Sequence, residues 1–442
     1  MKEATRSALI VGGGPAGLFA ACRLASLRRE AGLSEDLFPI LLLERNPGPG
    51  RKLLVSGSGR CNIAHAGTVE ELLPHYGGGE KTGSAARFLK RALHALDTPA
   101  LLAWFEARGL GFVTEASGKI FPASGRAGDV LKTLTADLES GRVRLRRGAR
   151  LKSLVFLEGG GFEAAIEEDG ATSSIRASFV LLATGGITYP ITGSSGDGLE
   201  LARKLGHGLV EARPALAPVI VKDWALGSLS GLSFHGAGLR LRREGRILVE
   251  RAGDLLITHE GLSGPLVLDG SRFLAAGDDI ELRFVPADGG PGRAAAAFEE
   301  RLDGEARRSP RGLVRGALVA AGLPRSLADK LRELSGLAPD ATCAALTRAS
   351  RRELSRLATE FPVRVHSLGG PAVAMVTAGG VALPEVDPAT MESRRIPGLY
   401  FGGEILDLDG DTGGYNLHAA FATGNLAALA IAGKWGQPLD AQ

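Results

Sequence analysis

The 442-residue sequence has few cysteines, few aromatic residues and no long apolar run. Its three cysteines, Cys22, Cys61 and Cys343, lie far apart and form no C-x-x-C pair. This spacing excludes a disulfide framework, a local dithiol centre and a zinc knuckle, and it is typical of a protein in a reducing cytoplasm. Because no run of about 18 apolar residues occurs, no membrane-spanning helix is expected. No His/Asp/Glu cluster has metal-ligand spacing, so no metal is expected either.

An excess of one charge sign is also missing. The 52 basic residues stand against 49 acidic ones, which gives a formal net charge of +3. Such a balance does not predict binding to nucleic acid. Basic residues do cluster at 239–246, 301–315 and 325–332, where we expect solvated strand and helix faces, with an RNA-binding surface as the alternative.

Glycine is abundant, with 63 residues, about twice the usual ~7%. A G-x-G-x-x-G pattern follows the apolar run ALIV (8–11) and precedes an amphipathic helical pattern. In this context the first glycine allows a tight turn, the second lets the backbone approach a pyrophosphate, and the third packs the helix on the strand. Phosphates then bind at the positive helix N-terminus. The phosphate turn consists of Gly12, Gly14, Pro15, Ala16 and Gly17.

Glu44 ends the next predicted strand, FPILLLERN (38–46). An acid at this position accepts hydrogen bonds from ribose hydroxyls and disfavours a 2′-phosphate. It lies further along the chain than the usual ~20 residues, and the polar connection AGLSEDLF accommodates the extra length. The alternative is a solvent-exposed acid at the end of a strand.

Three further loops carry signals of nucleotide binding. Gly57 and Gly59 form a second G-x-G after the basic pair Arg51 and Lys52, which suits phosphate oxygens. ATGG (183–186) ends another buried strand. GGEILDLDGDTGGYNL (402–417) joins a strand to a helix, whose N–H groups and dipole suit negative charge on a reduced cofactor ring.

The pattern predicts an α/β fold in two parts. A Rossmann-like nucleotide-binding domain takes residues 1–190, which include a helical stretch at 84–109, and residues 368–442. An inserted β-rich, barrel-like domain takes 191–291 and 358–367, and it carries a helical subdomain at 292–357. No second G-x-G-x-x-G follows a strand of the insert, so a separate NAD(P)H-binding Rossmann domain is not expected.

Five motifs in this order resemble the bacterial BaiN/YhiN-like family of NAD(P)/FAD-dependent oxidoreductases, some of which are labelled aminoacetone-oxidase-like. More distantly, the order is similar to fumarate reductase and other two-domain flavoproteins. The resemblance spans nearly the whole chain. The motifs are GGGPAG, GRKLLVSGSGRCN, ATGGITYPITGSSGDG, VTAGGV and GLYFGGEILDLDGDTGGYNL.

The resemblance implies FAD, with its ADP half on the phosphate turn and Glu44. It places Glu404 near the ribitol, where many flavoproteins have an aspartate, and Tyr415 at the pyrimidine edge of the flavin. The further cofactor-binding residues that it implies are Arg45, Arg51, Lys52, Ser56, Gly57, Gly59, Arg60, Cys61, Asn62, Ala183, Thr184, Gly185, Gly403, Gly413, Gly414, Asn416 and Leu417.

Arg60, Asn62 and Tyr415 are the candidate catalytic residues. Arg60 suits an anionic substrate or the flavin, and equally a structural ion pair. Cys61 is expected to be a small packing residue, with a redox thiol as the alternative because a nearby arginine lowers a thiol pKa. Tyr189, His259 and His366 are weaker candidates, for which structural roles in turns are expected. For His418, an approach to the flavin and a packing role on the helix are equally expected.

The sequence thus predicts a cytoplasmic FAD-dependent oxidoreductase that transfers a hydride between flavin and an organic small molecule. Reduction or desaturation of a C=C bond is favoured, with NAD(P)H as a transient co-substrate. The alternatives are a flavin-dependent amine oxidase, an RNA-modifying flavoprotein and a non-enzymatic flavin redox sensor. The sequence carries no signal of the oligomeric state.

Overall fold

A computed structural model describes residues 6–78, 82–286 and 293–435, and these fall into two compact units. The first comprises the described residues of Met1–Ala215 and Ala374–Gln442, and the second is Leu216–Val373. The predicted boundaries lie elsewhere, at 190/191 and 367/368. Residues 191–215 belong to the first unit because the strand Leu209–Ala215 pairs with Val376–Val381 of the same unit.

Helices and strands are numbered along the whole chain. The helices of the first unit are α1 (Pro15–Glu30), α2 (Arg51–Val55), α3 (Val69–Leu72), α4 (Thr82–Ala95), α5 (Thr98–Glu106), α6 (Ala127–Ser140), α7 (Asp197–Lys204) and α13 (Tyr415–Gly433). Its strands are β1 (Ala8–Val11), β2 (Ile40–Glu44), β3 (Ala64–His65), β4 (Phe112–Thr114), β5 (Lys119–Pro122), β6 (Arg144–Arg147), β7 (Arg150–Phe156), β8 (Phe162–Glu168), β9 (Ala171–Ala177), β10 (Phe179–Leu182), β11 (Leu209–Ala215), β19 (Val376–Val381) and β20 (Leu399–Phe401).

A five-stranded parallel sheet organises the first unit, in the order β20-β10-β1-β2-β6. The strand β1, with the sequence ALIV, is buried throughout, as expected for a strand covered on both faces. The edge strand β20 comes from the C-terminal part of the chain. This sheet confirms the predicted Rossmann-like domain built from both chain ends.

Close helix packing supports this sheet. In α13 the apolar residues run around the whole helix, and nearly all of its first half is buried. A Cβ on Gly424 would lie 2.3 Å from the carbonyl oxygen of Ala16, so α1 and α13 approach each other backbone to backbone. Phe19 and Phe421 pack edge to face beside this contact, with ring centroids 5.4 Å apart.

The second unit contains an antiparallel sheet and a group of helices. Its seven strands follow the order β17-β16-β13-β14-β15-β12-β18. Its strands are β12 (Val219–Ile220), β13 (Ser233–Arg243), β14 (Arg246–Ile257), β15 (Gly261–Ser263), β16 (Asp279–Arg283), β17 (Phe361–Arg364) and β18 (Ser367–Leu368). Its helices are α8 (Pro265–Ser271), α9 (Ala294–Arg308), α10 (Val314–Ala320), α11 (Arg325–Leu334) and α12 (Arg348–Thr359). Sheet and helices share one hydrophobic core.

Within the described ranges, none of the helices combines the length and the apolar character needed to cross a bilayer.

His418 is a core residue of the first unit. Its ring is 1% exposed, and Nε2 lies 2.8 Å from the carbonyl oxygen of Leu96. Burial lowers the pKa of His418 because the charged ring loses its hydration. The ring therefore helps to hold α13 against the end of α4, and it folds in its neutral form.

The buried His418 predicts acid sensitivity of the fold. Because its folded pKa is lowered, the unfolded chain binds the extra proton, and stability is lost as the pH falls below about 6.5. We expect His418→Gln, which retains a donor but does not titrate, to weaken the pH dependence by up to about 1.4 kcal/mol per pH unit. Urea unfolding midpoints at pH 7.5 and 5.5 measure this.

The matched control is His235→Gln, because the His235 side chain is 88% exposed. It should leave the pH dependence of the wild type unchanged. Equal losses of stability in wild type and His418→Gln would contradict a neutral, buried ring.

Candidate nucleotide and active site

The phosphate turn follows β1 and leads into α1. Gly12 has φ +108°, and a Cβ there would lie 2.4 Å from the carbonyl oxygen of Ala183. A Cβ on Gly17 would lie 2.0 Å from the carbonyl oxygen of Gly12. The protein's own packing thus requires both glycines. A Cβ on Gly14, in contrast, would meet no atom within 4 Å, so its surface is open to a ligand.

The N-terminus of α1 fits an anion. Gly14 is the N-cap and supplies no side-chain cap, and Pro15 takes the first helical position. The first N–H groups of a helix lack partners within the helix, and a helix of 16 residues adds its dipole. The open surface at Gly14 and this helix end together suit a pyrophosphate.

Glu44 lies beside this turn and is buried, with 6% exposure. Its Oε2 accepts a hydrogen bond from the Gly13 N–H at 3.0 Å. Its Oε1 accepts from the N–H of Asn46 at 2.8 Å and from the Asn46 side chain at 2.7 Å. The alternative of a solvent-exposed acid is therefore wrong. A carboxylate has about four acceptor positions, so one remains for a ribose hydroxyl.

The turn after β10 closes the other side of the phosphate turn. Thr184 Oγ1 is buried and has no hydrogen-bond partner among the described residues. A Cβ on Gly198 would lie 1.8 Å from this oxygen, so α7 packs directly on it. Gly185 has φ +74°. The turn after β10 is thus packed between Gly12 on one side and α7 on the other.

Two of the predicted arginines lie on the surface near Glu44. Arg45 makes an ion pair of 3.1 Å with Asp197 at the start of α7. Arg51 donates to Asn46 Oδ1 at 3.2 Å, and Asn46 in turn donates to the carbonyl oxygen of Thr192. These contacts join β2, α2 and α7 around the turn.

Lys52 and Glu404 form an ion pair that the sequence does not predict. Lys52 Nζ lies 2.8 Å from Glu404 Oε2 and 2.8 Å from Thr188 Oγ1. Glu404 Oε1 accepts from the Thr188 hydroxyl at 3.0 Å and from the Thr377 N–H at 2.9 Å. The network connects α2, β19 and the turns after β10 and β20. The predicted contacts of Lys52 and Glu404 with FAD stay predictions.

The loop after α2 has a strained backbone. Gly57, Ser58 and Gly59 have φ values of 55°, 57° and 85°, and Cys61 has φ 61°. For the two residues that are not glycine, a left-handed conformation costs about 1–2 kcal/mol each. Two backbone hydrogen bonds close the loop, and Ser56 begins it. Such strain concentrates where backbone approaches a ligand.

Cys61 is fully buried in this loop. Burial raises the pKa of its thiol to about 12. At neutral pH the thiol therefore stays protonated and is a poor nucleophile. The geometry supports the packing role and gives no support to the redox alternative.

Arg60 is half-exposed and held by two neighbours. Its guanidinium lies 3.9 Å from the ring centroid of Phe121, and Nη1 lies 2.9 Å from Glu115 Oε1. The structure thus contains the ion pair that was the alternative to substrate binding. An exposed pair of this kind contributes about 0–1 kcal/mol, so it does not prevent Arg60 from turning toward a ligand.

Asn62 joins this loop to the C-terminal turn. In the amide orientation that satisfies its neighbours, it donates to the carbonyl oxygens of Ile120 and Ala64 and accepts from the Gly414 N–H at 3.3 Å. A Cβ on Gly414 would lie 2.4 Å from the oxygen of Ala64, so the turn lies directly on β3. The Asn62 amide is therefore used by the backbone, and its catalytic role stays a prediction.

The side-chain amide of Asn416, like that of Asn62, is used in hydrogen bonds to the backbone. Its Oδ1 accepts from the Gly410 N–H at 2.8 Å, and its Nδ2 donates to the Gly410 carbonyl oxygen at 2.9 Å. Gly413 has φ +115° and lies beside His65. Gly403 packs against Ala16, and Leu417 is partly buried against the core of the unit.

Tyr415 is surrounded by aromatic rings that the sequence analysis did not single out. Its ring stacks with His65 at 5.1 Å and with His75 at 4.6 Å between centroids. The hydroxyl of Tyr76 donates to the Tyr415 carbonyl oxygen at 3.0 Å. His75 Nδ1 lies 2.8 Å from Asp411 Oδ2. The segment LPHYGG has no motif that predicts these contacts.

The weaker candidates lie elsewhere. His259 and His366 are exposed in the second unit, and His418 is in the core of the first. Tyr189 is partly buried in the first unit with a left-handed backbone, φ 54°. In the part of the chain that the structure describes, no group of three or more His, Cys, Asp or Glu residues is arranged to hold a metal ion.

Comparison with known proteins identifies the family. Residues 6–430 match the model of the HI0933-like protein Rossmann domain. The 3-dehydro-bile acid delta(4,6)-reductase of Clostridium scindens is 32% identical over 425 residues, which cover 96% of this chain and 98% of that protein. The chain therefore belongs to the HI0933-like family, and this confirms the predicted resemblance. It is an FAD-dependent oxidoreductase of that family.

Two further comparisons extend this result. The ribosomal RNA dihydrouridine synthase of Escherichia coli is 29% identical over 420 residues, covering 94% of this chain and 95% of that protein. The structure of 3-ketosteroid-delta4-(5alpha)-dehydrogenase from Rhodococcus jostii is similar, with a TM-score of 0.50 over 98% of both chains and 17% identity. The latter likeness shows a shared fold.

The open surface at Gly14 generates a direct test of the phosphate site. Because a Cβ there meets no protein atom, we expect Gly14→Ala to fold normally and to lose at least tenfold in FAD affinity, since the methyl group blocks the pyrophosphate. Titration of apoprotein with FAD, together with thermal unfolding of the apoprotein, measures both effects.

Gly128→Ala in α6 is the matched control, because a Cβ there also meets nothing within 4 Å. It should bind FAD as the wild type does. Unchanged FAD affinity in Gly14→Ala would place the pyrophosphate elsewhere.

Proposed function

We propose that this protein reduces a C=C bond conjugated to a carbonyl group, with FAD as its resident cofactor and NAD(P)H as the source of electrons. The proposal combines the family membership, the geometry of the nucleotide site and the chemistry named for two relatives. Amine oxidation and a non-enzymatic redox sensor are the less supported alternatives.

The names of the relatives describe one type of reaction. A delta(4,6)-reductase of a 3-dehydro-bile acid saturates ring double bonds that are conjugated to a 3-keto group. A dihydrouridine synthase saturates the double bond of a uracil ring, which is conjugated to a carbonyl. Two relatives aligned over more than nine tenths of this chain thus share the reduction of an electron-poor C=C bond. This is the observation that carries the proposal.

The residues of the first unit fit FAD. The phosphate turn and the N-terminus of α1 would bind the pyrophosphate, and Glu44 the ribose. The strained loop at 57–61 and the turn at 413–417 would flank the flavin ring, and when bound, FAD supplies the hydride.

Exposed apolar side chains favour an apolar substrate. Leu54 and Val55 on α2 are 39% and 48% exposed, and Ile191 is 78% exposed. All three lie close in sequence to the Lys52–Thr188 contact that joins α2 to the turn after β10. Exposed apolar groups beside a nucleotide site suit a hydrophobic ring system, such as a steroid.

Arginines of the second unit favour RNA as a second candidate substrate. Arg311, Arg325, Arg348 and Arg352 are exposed and make no ion pair within the described ranges. Unpaired guanidinium groups attract phosphates. In contrast, Arg240, Arg242 and Arg243 on β13 pair with Glu250, Glu281 and Asp278. The basic segment 239–246 therefore forms cross-strand ion pairs.

Anaerobic half-reactions separate these functions. The holoprotein is reduced with NADH or NADPH and then mixed with 4-androstene-3,17-dione, with unmodified ribosomal RNA or with no acceptor. We expect the conjugated ketone to reoxidise the flavin at least tenfold faster than the fully saturated diketone with the same skeleton, which offers no C=C bond. Flavin absorbance at about 450 nm and mass spectrometry of the product provide the measurement.

Faster reoxidation by RNA, with formation of dihydrouridine, would favour the second candidate. Reduction of the oxidised flavin by aminoacetone, without reoxidation by any C=C substrate, would contradict the proposal and favour amine oxidation.

A further inference from the structure

Saturation of a C=C bond needs an acid as well as a hydride. The hydride adds to one carbon, and a proton must reach the carbon next to the carbonyl. A positioned side chain speeds this transfer by about 10²–10⁴-fold. The following inference rests on the proposed function and concerns the residue that supplies the proton.

The predicted catalytic residues do not fit this role. The Arg60 guanidinium cannot be deprotonated in a protein, and the Asn62 amide has no acidic proton to give. Both ring nitrogens of His65 face backbone carbonyls, with Nδ1 2.8 Å from Ala66 O and Nε2 3.0 Å from Ser117 O. Tyr415 is buried, with 4% exposure, between the rings of His65 and His75, whereas a proton donor must lie within reach of the substrate.

We propose that His75, held by Asp411, is the proton donor. The Asp411 side chain is 5% exposed, whereas that of His75 is 44% exposed. Asp411 Oδ2 lies 2.8 Å from His75 Nδ1, so the buried carboxylate holds the Nδ1 edge of a ring that is half-exposed as a whole. A carboxylate in this position fixes the tautomer with the proton on Nδ1 and stabilises the imidazolium.

Backbone contacts fix this pair in place. The Asp411 N–H donates to the His75 carbonyl oxygen at 3.0 Å, and the Gly77 N–H donates to the Asp409 carbonyl oxygen at 2.7 Å. Tyr415 stacks on the His75 ring and begins α13. The ring is therefore oriented by a carboxylate, by a stacked aromatic and by its own backbone. Asp411 and Tyr415 are titratable groups in contact with the ring.

The proposed step balances in electrons and protons. When bound, reduced FAD would supply the hydride for the C–H bond at the β-carbon, and the C=C electron pair would take the proton from His75 Nε2 at the α-carbon. The imidazolium becomes a neutral imidazole hydrogen-bonded to Asp411. Solvent returns the proton because the ring is half-exposed. NAD(P)H restores the reduced cofactor.

His75→Gln and Asp411→Asn test the donor, with His94→Gln on α4 as a half-exposed control. Holoproteins are reduced anaerobically with dithionite and mixed with 4-androstene-3,17-dione. We expect His75→Gln to slow reoxidation at least 100-fold and Asp411→Asn at least tenfold, with unchanged FAD content. The control should match the wild type.

A second measurement does not depend on turnover. NMR of ¹⁵N-histidine-labelled holoprotein should show the Nδ1–H tautomer of His75 in the wild type and its loss in Asp411→Asn. The NMR titration midpoint of His75 should coincide with the pH at which the wild-type reoxidation rate falls, and this pH dependence should disappear in His75→Gln.

Three results overturn the inference in distinguishable ways. Reoxidation of His75→Gln at the wild-type rate, or a kinetic midpoint that differs from the NMR midpoint, overturns the donor and leaves the proposed function intact. A wild type that neither the steroid nor unmodified ribosomal RNA reoxidises overturns both.

Discussion

Three backbone contacts without room for a side chain hold the first unit together. Gly12 lies against Ala183, Gly17 against Gly12, and Gly424 against Ala16. A Cβ on any of these three glycines would lie only 2.0–2.4 Å from the carbonyl oxygen of its neighbour. They bring the turn after β1, the turn after β10 and the C-terminal helix to one place. Because the carboxyl ends of parallel strands share an edge of the sheet, that place is also the one that we propose for the nucleotide.

The polar network follows from this arrangement. With the strand ends fixed, Glu44 can hold the phosphate turn from one side, and Glu404 can join Lys52, Thr188 and Thr377 on the other. The strained loop at 57–61 and the turn at 413–417 are then joined through Asn62 and Gly414. The Tyr415–His75–Asp411 cluster lies next to the Asn62–Gly414 contact, where the C-terminal turn leads into α13.

The sequence predicts the local elements well and the contacts between distant segments poorly. The strand–turn–helix around Gly12 and the family follow from motifs. The stretch 84–109 divides into α4 and α5 because Asp97 caps a second helix, accepting from the Ala100 N–H. The Lys52–Glu404 pair and the stacking of His75 on Tyr415 join residues more than 300 positions apart. No spacing rule reports such contacts, since only the fold brings these residues together.

The central claim is that the chain binds the whole of FAD, with the ADP half on the phosphate turn and Glu44. The flavin content of the purified, reconstituted protein, measured after denaturation, together with a comparison of FAD and FMN affinity, tests it most directly. The account predicts one FAD per 45.9 kDa chain and at least a hundredfold weaker binding of FMN, which lacks the ADP half. A protein that binds no flavin, or that binds FMN as tightly as FAD, would contradict it.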